Sequence, residues 1–341
     1  MSMKREELNR NEQLYGPSPS CLEVIWKFNP EHISRYVDGY ATSILRSRLG
    51  KDFSFPENQI ILGNGAEDIL RTVFNQLKEN ETVLIPNPTY TYYQKYLENR
   101  KIIVNTFGFD VTENEYVFSV TNILDSYNQY QPKVLLIASP NNPTGSTISP
   151  KQLLGILEKI STDCILVLDE AYFGFDLEYR QDAVITLLNK YPNLMIVRSF
   201  SKLYGLAGLR IGFGICGSKA YEFLNWQHQY LGFNRLLEEV AVVALDSREY
   251  YADISNKIIK DRELFIAEVS KSKHFKPFVS KANFVLVGFN AKYQTLVEKM
   301  LNEDQTPIAK LVGEGLMRVT VGTSEKVKQF ADTLKHTNYE Y

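Results

Sequence analysis

The sequence predicts an α/β protein with a mainly parallel sheet covered by helices and a second, smaller α+β domain. Three observations support this prediction. Continuous apolar runs alternate with helical patterns between about residues 60 and 220, each run ends in a polar or glycine-rich motif, and the pattern changes after about Asp246. Continuous apolar runs are typical of strands that helices cover on both faces, and the helical patterns between them supply the crossovers.

Five apolar runs are the candidate strands of the parallel sheet, at residues 59–62, 82–85, 133–137, 164–168 and 193–197. The clearest helix between them starts at Ser149-Pro150, which is a start signal, and continues with apolar residues at helical spacing from Leu153 to Ile160. We predict that residues 31–245 form this large domain.

The elements beyond Asp246 follow a different order. A long charged helix is expected at residues 248–271, then strands at 275–279 and 283–287, a helix, a strand at 317–321 and a last helix from Ser324. Strands separated by few residues and then followed by helices indicate an α+β unit. We predict that residues 1–30 join residues 246–341 in this small domain.

Composition narrows the class of protein. The 341 residues are 44% hydrophobic and 23% charged, and 38 Lys+Arg stand against 40 Asp+Glu, which excludes collagen-like, coiled-coil and disordered chains. With a net charge of −2 and no basic run, neither a nucleic-acid partner nor a membrane span is expected. The start of the chain has no apolar stretch typical of a signal peptide, and three scattered cysteines predict no disulfide framework and no metal site, so a cytoplasmic location is expected.

Polar motifs follow the predicted strands at their carboxyl ends, where open α/β sheets bind ligands. After the first run, GNGAEDIL places Gly63 and Gly65 at a turn that opens a helix. The amides of Gly65, Ala66 and Glu67 could face an anion there, although a plain strand-to-helix turn explains the motif equally well. In SPNNPTG, two prolines and a glycine stiffen a loop that leaves an amide side chain at a fixed place.

Two further motifs place ionisable groups at this edge. Asp169 directly follows an apolar strand, and a buried carboxylate needs a cationic partner, either a structural ion pair or a protonated ligand nitrogen. In SFSKLYGLAGLR, Lys202 lies between Ser199, Ser201 and Arg210, which would put an amine, two hydroxyls and a guanidinium around one site.

The whole set of motifs resembles the fold-type I pyridoxal 5′-phosphate (PLP) enzymes, and within them the histidinol-phosphate aminotransferase branch and the related threonine-phosphate decarboxylase. The matching strings occur in the family's order from Asn11 to Thr323: NEQLYGPSP, SRYVD, GNGAEDIL, PNPTYTYY, SPNNPTG, DEAY, SFSKLYGLAGLRIGF and MRVTVGT. The resemblance implies a large domain of the PLP-transferase type with a seven-stranded sheet, and PLP as the cofactor.

The resemblance also implies roles for single residues. Lys202 would form the internal aldimine with PLP, with Asp169 and Tyr172 as further catalytic residues. Asp169 would pair with the ring nitrogen, Asn142 and Tyr172 would bond the phenolic oxygen, and Tyr90 would stack on the ring. The phosphate ligands would be Gly65, Ala66, Glu67, Ser199, Ser201, Arg210 and, from a neighbouring subunit, Tyr36. The substrate would contact Arg318, through its α-carboxylate, together with Asn142 and Tyr15.

The activity implied is an aminotransferase that exchanges an amino group between an amino acid, or an amino-alcohol phosphate, and a 2-oxo acid by a ping-pong mechanism. A homodimer with shared sites is implied as well. Histidinol-phosphate enzymes usually carry a second arginine before the one that matches Arg318. This sequence has none there, and Lys310 could substitute only as a point charge.

Two alternative functions belong to other classes of protein. A PLP-dependent decarboxylase or lyase of a small amino acid would use the same pocket and differ in which Cα bond it presents to the ring. A PLP-binding sensor of a transcription regulator would share the fold, but such chains carry an additional DNA-binding domain before it, and only ten residues precede NEQLYG.

Overall fold

Two sheets and twelve α-helices make up the described part of the chain. The computed structural model describes residues 8–36, 43–176, 184–225, 232–303 and 308–337. The strands are β1 Ile60–Asn64, β2 Thr82–Asn87, β3 Ile103–Val111, β4 Tyr116–Phe118, β5 Val134–Ala138, β6 Ile165–Asp169, β7 Leu194–Ser199, β8 Ile211–Cys216, β9 Phe275–Pro277, β10 Phe284–Phe289, β11 Ala309–Gly313 and β12 Leu316–Thr320. The helices are α1 Pro19–Lys27, α2 Ile44–Phe53, α3 Ala66–Asn75, α4 Thr91–Asn99, α5 Val120–Tyr130, α6 Pro150–Leu157, α7 Ile185–Leu188, α8 Ser218–Leu224, α9 Arg235–Asp246, α10 Arg248–Val269, α11 Gln294–Glu303 and α12 Ser324–His336.

The large sheet has the strand order β1-β8-β7-β6-β5-β2-β3-β4. Strands β7, β6, β5, β2 and β3 are parallel neighbours, whereas β8 is antiparallel to both β7 and β1, and β4 is antiparallel to β3. The predicted α/β class with a mainly parallel sheet is therefore confirmed. The short β4 adds an eighth strand at the edge.

Both faces of the large sheet are buried, which explains its continuous apolar strands. Along β5, Leu135 and Ile137 belong to one core and Val134 and Leu136 belong to the core on the opposite face. Because side chains alternate between faces, a strand between two cores must be apolar at every position. The run 103–111 lacks this pattern because β3 is largely exposed, and β8 is interrupted by two glycines. Neither strand is among the five predicted runs for these reasons.

The start of α6 shows why the helix begins where the sequence predicts. The Ser149 hydroxyl accepts from the Gln152 amide at 3.2 Å, and the Gln152 side chain accepts from the Ser149 amide at 2.9 Å. This reciprocal capping satisfies donors that a helix start leaves without partners.

The four-stranded antiparallel sheet, in the order β11-β12-β10-β9, has its own core with α10 and α12. This agrees with the expected small α+β unit. Helix α1, by contrast, places Cys21 in a core of the large sheet and packs on α9. The predicted domain limits, with residues 1–30 in the small domain, stay a prediction.

No helix within the described ranges has both the length and the apolar character needed to cross a membrane. The three cysteines are buried thiols, as expected for Cys164 and Cys216 from their apolar surroundings. The cytoplasmic location remains a prediction from the sequence.

Candidate active site

The motifs at the strand ends meet in one cavity of about 560 Å³, beside the carboxyl ends of β5, β6 and β7. Parallel strands end at the same edge of the sheet, so residues distant in the chain are brought together there. The cavity is lined by eleven of the residues predicted for the site: Ala66, Glu67, Tyr90, Asn142, Asp169, Tyr172, Ser199, Ser201, Lys202, Arg210 and Arg318.

Asp169 is a buried carboxylate at the end of β6, with only 6% of its surface exposed. Its Oδ2 accepts from the Tyr93 hydroxyl at 2.5 Å, and its Oδ1 accepts from the Ala171 amide at 3.0 Å. Burial raises the pKa of the carboxyl, and the two hydrogen bonds oppose that rise. Among the residues that the structure describes, no lysine or arginine forms an ion pair with Asp169. A protonated ligand nitrogen is therefore the better explanation for this acid than a structural ion pair.

Lys202 lines the same cavity, and its amine lies close to other cations. Its Nζ donates to the Arg10 carbonyl at 2.8 Å and lies 5.3 Å from the centre of the Tyr172 ring. Burial, and then the charges of Arg318 and Arg210, lower the pKa of the amine from 10.5 to about 8, although Glu12 opposes the shift. An amine with such a pKa is partly neutral near neutral pH, as a nucleophile or base must be.

The groups expected to bind phosphate surround Arg210. Its Nη1 donates to the Ser201 hydroxyl at 3.4 Å and its Nη2 donates to the Asn64 carbonyl at 3.4 Å. Gly65 ends the preceding turn at φ +82°, and a Cβ at that position would lie 2.6 Å from Arg210 Nη2. Only glycine combines this backbone conformation with so close an approach.

Helix α3 begins at this turn, with its first amides at the cavity. The amide of Gly65 already donates to the Gly63 carbonyl at 2.8 Å. The amides of Ala66 and Glu67 open the helix, where backbone donors lack partners within the helix and attract an anion. Of the three amides predicted from the sequence to face a phosphate, those of Ala66 and Glu67 therefore remain the candidates.

Tyr172, Asn142 and Arg318 form a hydrogen-bonded group that also lines the cavity. The Tyr172 hydroxyl oxygen accepts from Asn11 Nδ2 at 3.0 Å and from Asn142 Nδ2 at 3.4 Å. Since both amides donate, the hydroxyl hydrogen of Tyr172 can be donated to a ligand oxygen. Arg318 Nη1 donates to Asn142 Oδ1 and Nη2 donates to the Asn9 carbonyl, each at 2.8 Å. Arg318 Nε is buried without a hydrogen-bond partner among the described residues.

The structure separates the two amides of SPNNPTG. The Asn141 side chain is occupied by loop contacts, accepting from Thr89 and donating to Thr144 and to the Pro88 carbonyl. Asn142 instead reaches the cavity. Asn141 thus fixes the loop, and Asn142 is the amide available to a ligand.

Tyr90 stands directly before α4 and is 41% exposed at the cavity. Its ring meets the Tyr93 ring edge to face, with 5.6 Å between the centres. This position is consistent with an aromatic surface on which a planar ligand ring stacks.

Three of the predicted site residues, Gly65, Tyr15 and Tyr36, are not among those that line the cavity. Gly65 lies at the turn beside Arg210. Tyr15 directs its hydroxyl to Asp261 and Ser324, at 3.3 Å each, because its ring packs beside the small-sheet core. Tyr36 is 80% exposed, and the two residues that complete the SRYVD string lie outside the described residues.

Several cavity residues were not indicated by the sequence: Arg10, Glu12, Tyr92 and Tyr93. For Tyr93 a signal existed, because it follows Tyr90 by three residues and so faces the same side of α4. Arg10 and Asn9 act through their backbone carbonyls, which no residue pattern reveals. Within the described ranges, no group of acidic, histidine or cysteine side chains is placed to hold a metal ion.

Comparisons with known proteins identify the family of this chain. The family model for class I and II aminotransferases matches residues 6–334. Histidinol-phosphate aminotransferase 2 of Archaeoglobus fulgidus is 32% identical over 334 residues, which cover 96% of this chain and 92% of that protein.

Two solved structures share the fold. Histidinol-phosphate aminotransferase from Sinorhizobium meliloti, in complex with pyridoxal-5′-phosphate, has a TM-score of 0.83 at 20% identity and covers 97% of this chain and 90% of its own. L-threonine-O-3-phosphate decarboxylase from Porphyromonas gingivalis has a TM-score of 0.78 at 21% identity, with coverages of 96% and 98%. The fold alone is therefore compatible with both reaction types.

Proposed function

Since this chain belongs to the class I and II aminotransferase family and is a transaminase that depends on PLP, we propose that the cavity around Lys202 is its active site. The observation that carries the proposal is the placement of three groups on one cavity. These are a buried acid without an ion-pair partner among the described residues, an amine of lowered pKa, and the guanidinium of Arg318.

The residues present fit PLP. We assign the phosphate to the amides of Ala66 and Glu67, the hydroxyls of Ser199 and Ser201, and Arg210, with Gly65 permitting the approach. Asp169 would keep the ring nitrogen protonated, because a buried carboxylate favours an adjacent positive charge. Tyr172 and Asn142 would bond the phenolic oxygen, Tyr90 would cover the ring, and Lys202 would hold the cofactor covalently.

When bound, PLP supplies an electron-accepting ring for the bond broken at the substrate Cα. The protein's part is to choose that bond and to move the proton. Arg318 would hold the substrate carboxylate through parallel hydrogen bonds and so fix the orientation of Cα. The amine of Lys202 would then take the proton from Cα as a base and return it as an acid.

The transamination proposal is tested by the half-reaction with glutamate alone. A transaminase should convert bound PLP into its amine form, with one equivalent of 2-oxoglutarate released for each site. A decarboxylase acting through the same residues would release carbon dioxide and leave the cofactor in its aldehyde form. Accumulation of carbon dioxide without the amine form would overturn the proposal in favour of that alternative.

For the amino donor, we propose an amino acid or an amino-alcohol phosphate, with a 2-oxo acid as the acceptor. Lys310 lines the cavity and lies directly opposite Arg318 in the β11–β12 pairing, which supports an anionic group on the donor. Relatives named histidinol-phosphate aminotransferase make histidinol phosphate the first candidate. A screen against 2-oxoglutarate, with histidinol phosphate, aromatic and basic amino acids as donors, decides among these. A strong preference for an uncharged side chain would remove Lys310 from substrate binding.

The lowered pKa of Lys202 gives a pH prediction. Only the neutral amine attacks an aldehyde, and its fraction rises with pH through a midpoint at about 8 rather than at 10.5. The rate of covalent PLP loading should therefore increase up to about pH 9 and then level off, as followed by absorbance in stopped flow. In Arg318→Gln, the loss of a neighbouring positive charge should move the midpoint to higher pH. A midpoint near that of an ordinary lysine would contradict this environment.

We also propose a homodimer with shared sites. Four large apolar side chains are exposed from the end of α1 to the first residue of α2: Trp26, Ile33, Tyr36 and Ile44. Exposed apolar side chains are typical of an interface, and a second copy of this chain is the occupant that would also bring Tyr36 to a neighbouring phosphate.

For the dimer, we expect sedimentation to give twice the chain mass and Ile33→Asp to shift it towards the monomer. Val111→Asp is the matched control, because Val111 is also exposed but lies at the end of β3. Tyr36→Phe should raise the dissociation constant for PLP about 10- to 100-fold, the range for one hydrogen bond to a charged group. A fully active monomer would disprove the shared sites.

A further inference from the structure

We propose that Tyr93 is a positioning residue of this active site, which holds the Asp169 carboxylate ionised and turned towards the cofactor ring nitrogen. The proposal rests on the proposed function, because that function assigns Asp169 to the ring nitrogen. Its basis is the contact between Tyr93 Oη and Asp169 Oδ2, 2.5 Å apart, in a site where Tyr93 is 2% exposed.

The contact is important because only two groups among the described residues donate hydrogen bonds to the Asp169 carboxylate. The Tyr93 hydroxyl donates a hydrogen bond to Oδ2 and the Ala171 amide donates one to Oδ1, so each oxygen keeps a lone pair for one further donor. Burial favours the protonated carboxyl, and a protonated carboxyl would not stabilise a cationic ring. Removing the Tyr93 hydroxyl would take away the one side-chain donor that opposes this effect among the described residues.

Tyr93 is suited to donate rather than to accept. Burial and the neighbouring Asp169 charge raise the pKa of its phenol well above the ordinary value, so the hydroxyl keeps its hydrogen. The ring is held edge to face against Tyr90, and against Phe74 with 6.4 Å between centres. Tyr93, three residues after Tyr90, therefore contacts both the aromatic ring of Tyr90 and the carboxylate of Asp169.

A purely structural role is the competing explanation, since a buried tyrosine needs a hydrogen-bond partner wherever it lies. The two roles differ in what they do to the ring nitrogen. A structural tyrosine affects the free energy of unfolding, whereas a positioning tyrosine also changes the protonation of the bound cofactor. The test must therefore report on that nitrogen.

The experiment loads four proteins with PLP labelled with ¹⁵N in the ring: the wild type, Tyr93→Phe, Asp169→Asn and Tyr96→Phe. Tyr96 is the matched control, because it lies on the same helix and its hydroxyl donates to Asn75 Oδ1 at 2.9 Å, away from Asp169. The readouts are the ¹⁵N chemical shift, the PLP dissociation constant, kcat and the melting temperature. Phenylalanine keeps the ring contacts with Tyr90 and Phe74, so the variant is expected to fold.

In Tyr93→Phe we expect the ¹⁵N shift to move towards that of a neutral pyridine and kcat to fall about 10- to 100-fold, the range for a hydrogen bond to a charged group. Tyr96→Phe should match the wild type in shift and kcat. A wild-type shift and kcat in Tyr93→Phe, with a lower melting temperature alone, would overturn the proposal. If Asp169→Asn also keeps the wild-type shift, the assignment of Asp169 itself is wrong, and the two failures are thus distinguishable.

Discussion

Replacing Lys202 with alanine is expected to eliminate covalent PLP and to reduce turnover at least about 10⁴-fold, because one side chain serves as both anchor and proton carrier. The other cationic side chains of the cavity cannot take over this role. Arg10, Arg210 and Arg318 are guanidinium groups, which stay protonated at every physiological pH. Lys310 lies on β11 of the small sheet, opposite Arg318.

The measurement is the visible absorbance of the loaded protein, together with intact mass after borohydride reduction. Wild-type protein should gain one pyridoxyl group per chain, and Lys202→Ala should gain none. Lys219→Ala is the control, because Lys219 is a half-exposed lysine that contacts Thr162 and Asp163 and is not among the residues that line the cavity. A pyridoxyl group at wild-type level on Lys202→Ala would refute the site.

Asp169→Ala is the second large effect. We expect it to bind PLP with reduced affinity and to lose about 10³-fold in kcat, because the phosphate groups remain while the charge that keeps the ring nitrogen protonated is lost. The structure describes no ion pair at Asp169 that the substitution would break. The loss of kcat should therefore be larger than a loss of stability would explain. We expect the free energy of unfolding to fall by about 1–3 kcal/mol, because the Tyr93 hydroxyl would lose its acceptor.

Steady-state kinetics and PLP titration separate the two effects of Asp169→Ala. Asp163→Ala is a suitable control, since Asp163 is an exposed carboxylate whose partner is Lys219. Near-native kcat in Asp169→Ala would remove Asp169 from the mechanism. A collapse of thermal stability with proportionate loss of activity would make it a structural acid.

Much of the fold and of the site can be predicted from the sequence because the strands and the chemistry share one signal. A strand buried on both faces must be apolar along its buried length, as β5 and residues 165–168 of β6 are, so the first polar residue marks both the strand end and the ligand edge. Asp169 can be predicted from the sequence in this way. Strand β3 cannot be predicted in this way, because most of its residues are exposed or half-buried and it lacks the apolar run.

Contacts made by the backbone cannot be predicted from residue types. The carbonyls of Asn9 and Arg10 reach Arg318 and Lys202 across 309 and 192 residues, and any residue supplies a carbonyl. The position of Tyr15 also depends on contacts between distant parts of the chain. Its hydroxyl forms hydrogen bonds with Asp261 and Ser324 instead of facing the cavity. Tertiary packing, and not local pattern, decides such cases.

The carbonyls of Asn9 and Arg10 have a consequence for ligand affinity. Each carbonyl occupies one N–H of a cationic side chain at the cavity, so a ligand carboxylate would bind through the N–H groups that remain. Because the carbonyl dipole already stabilises each positive charge, the net gain from adding a carboxylate is smaller than for a carboxylate–guanidinium pair formed from solvent. Moderate affinity of this kind favours rapid release, which suits an enzyme whose first product must leave before the second substrate can enter.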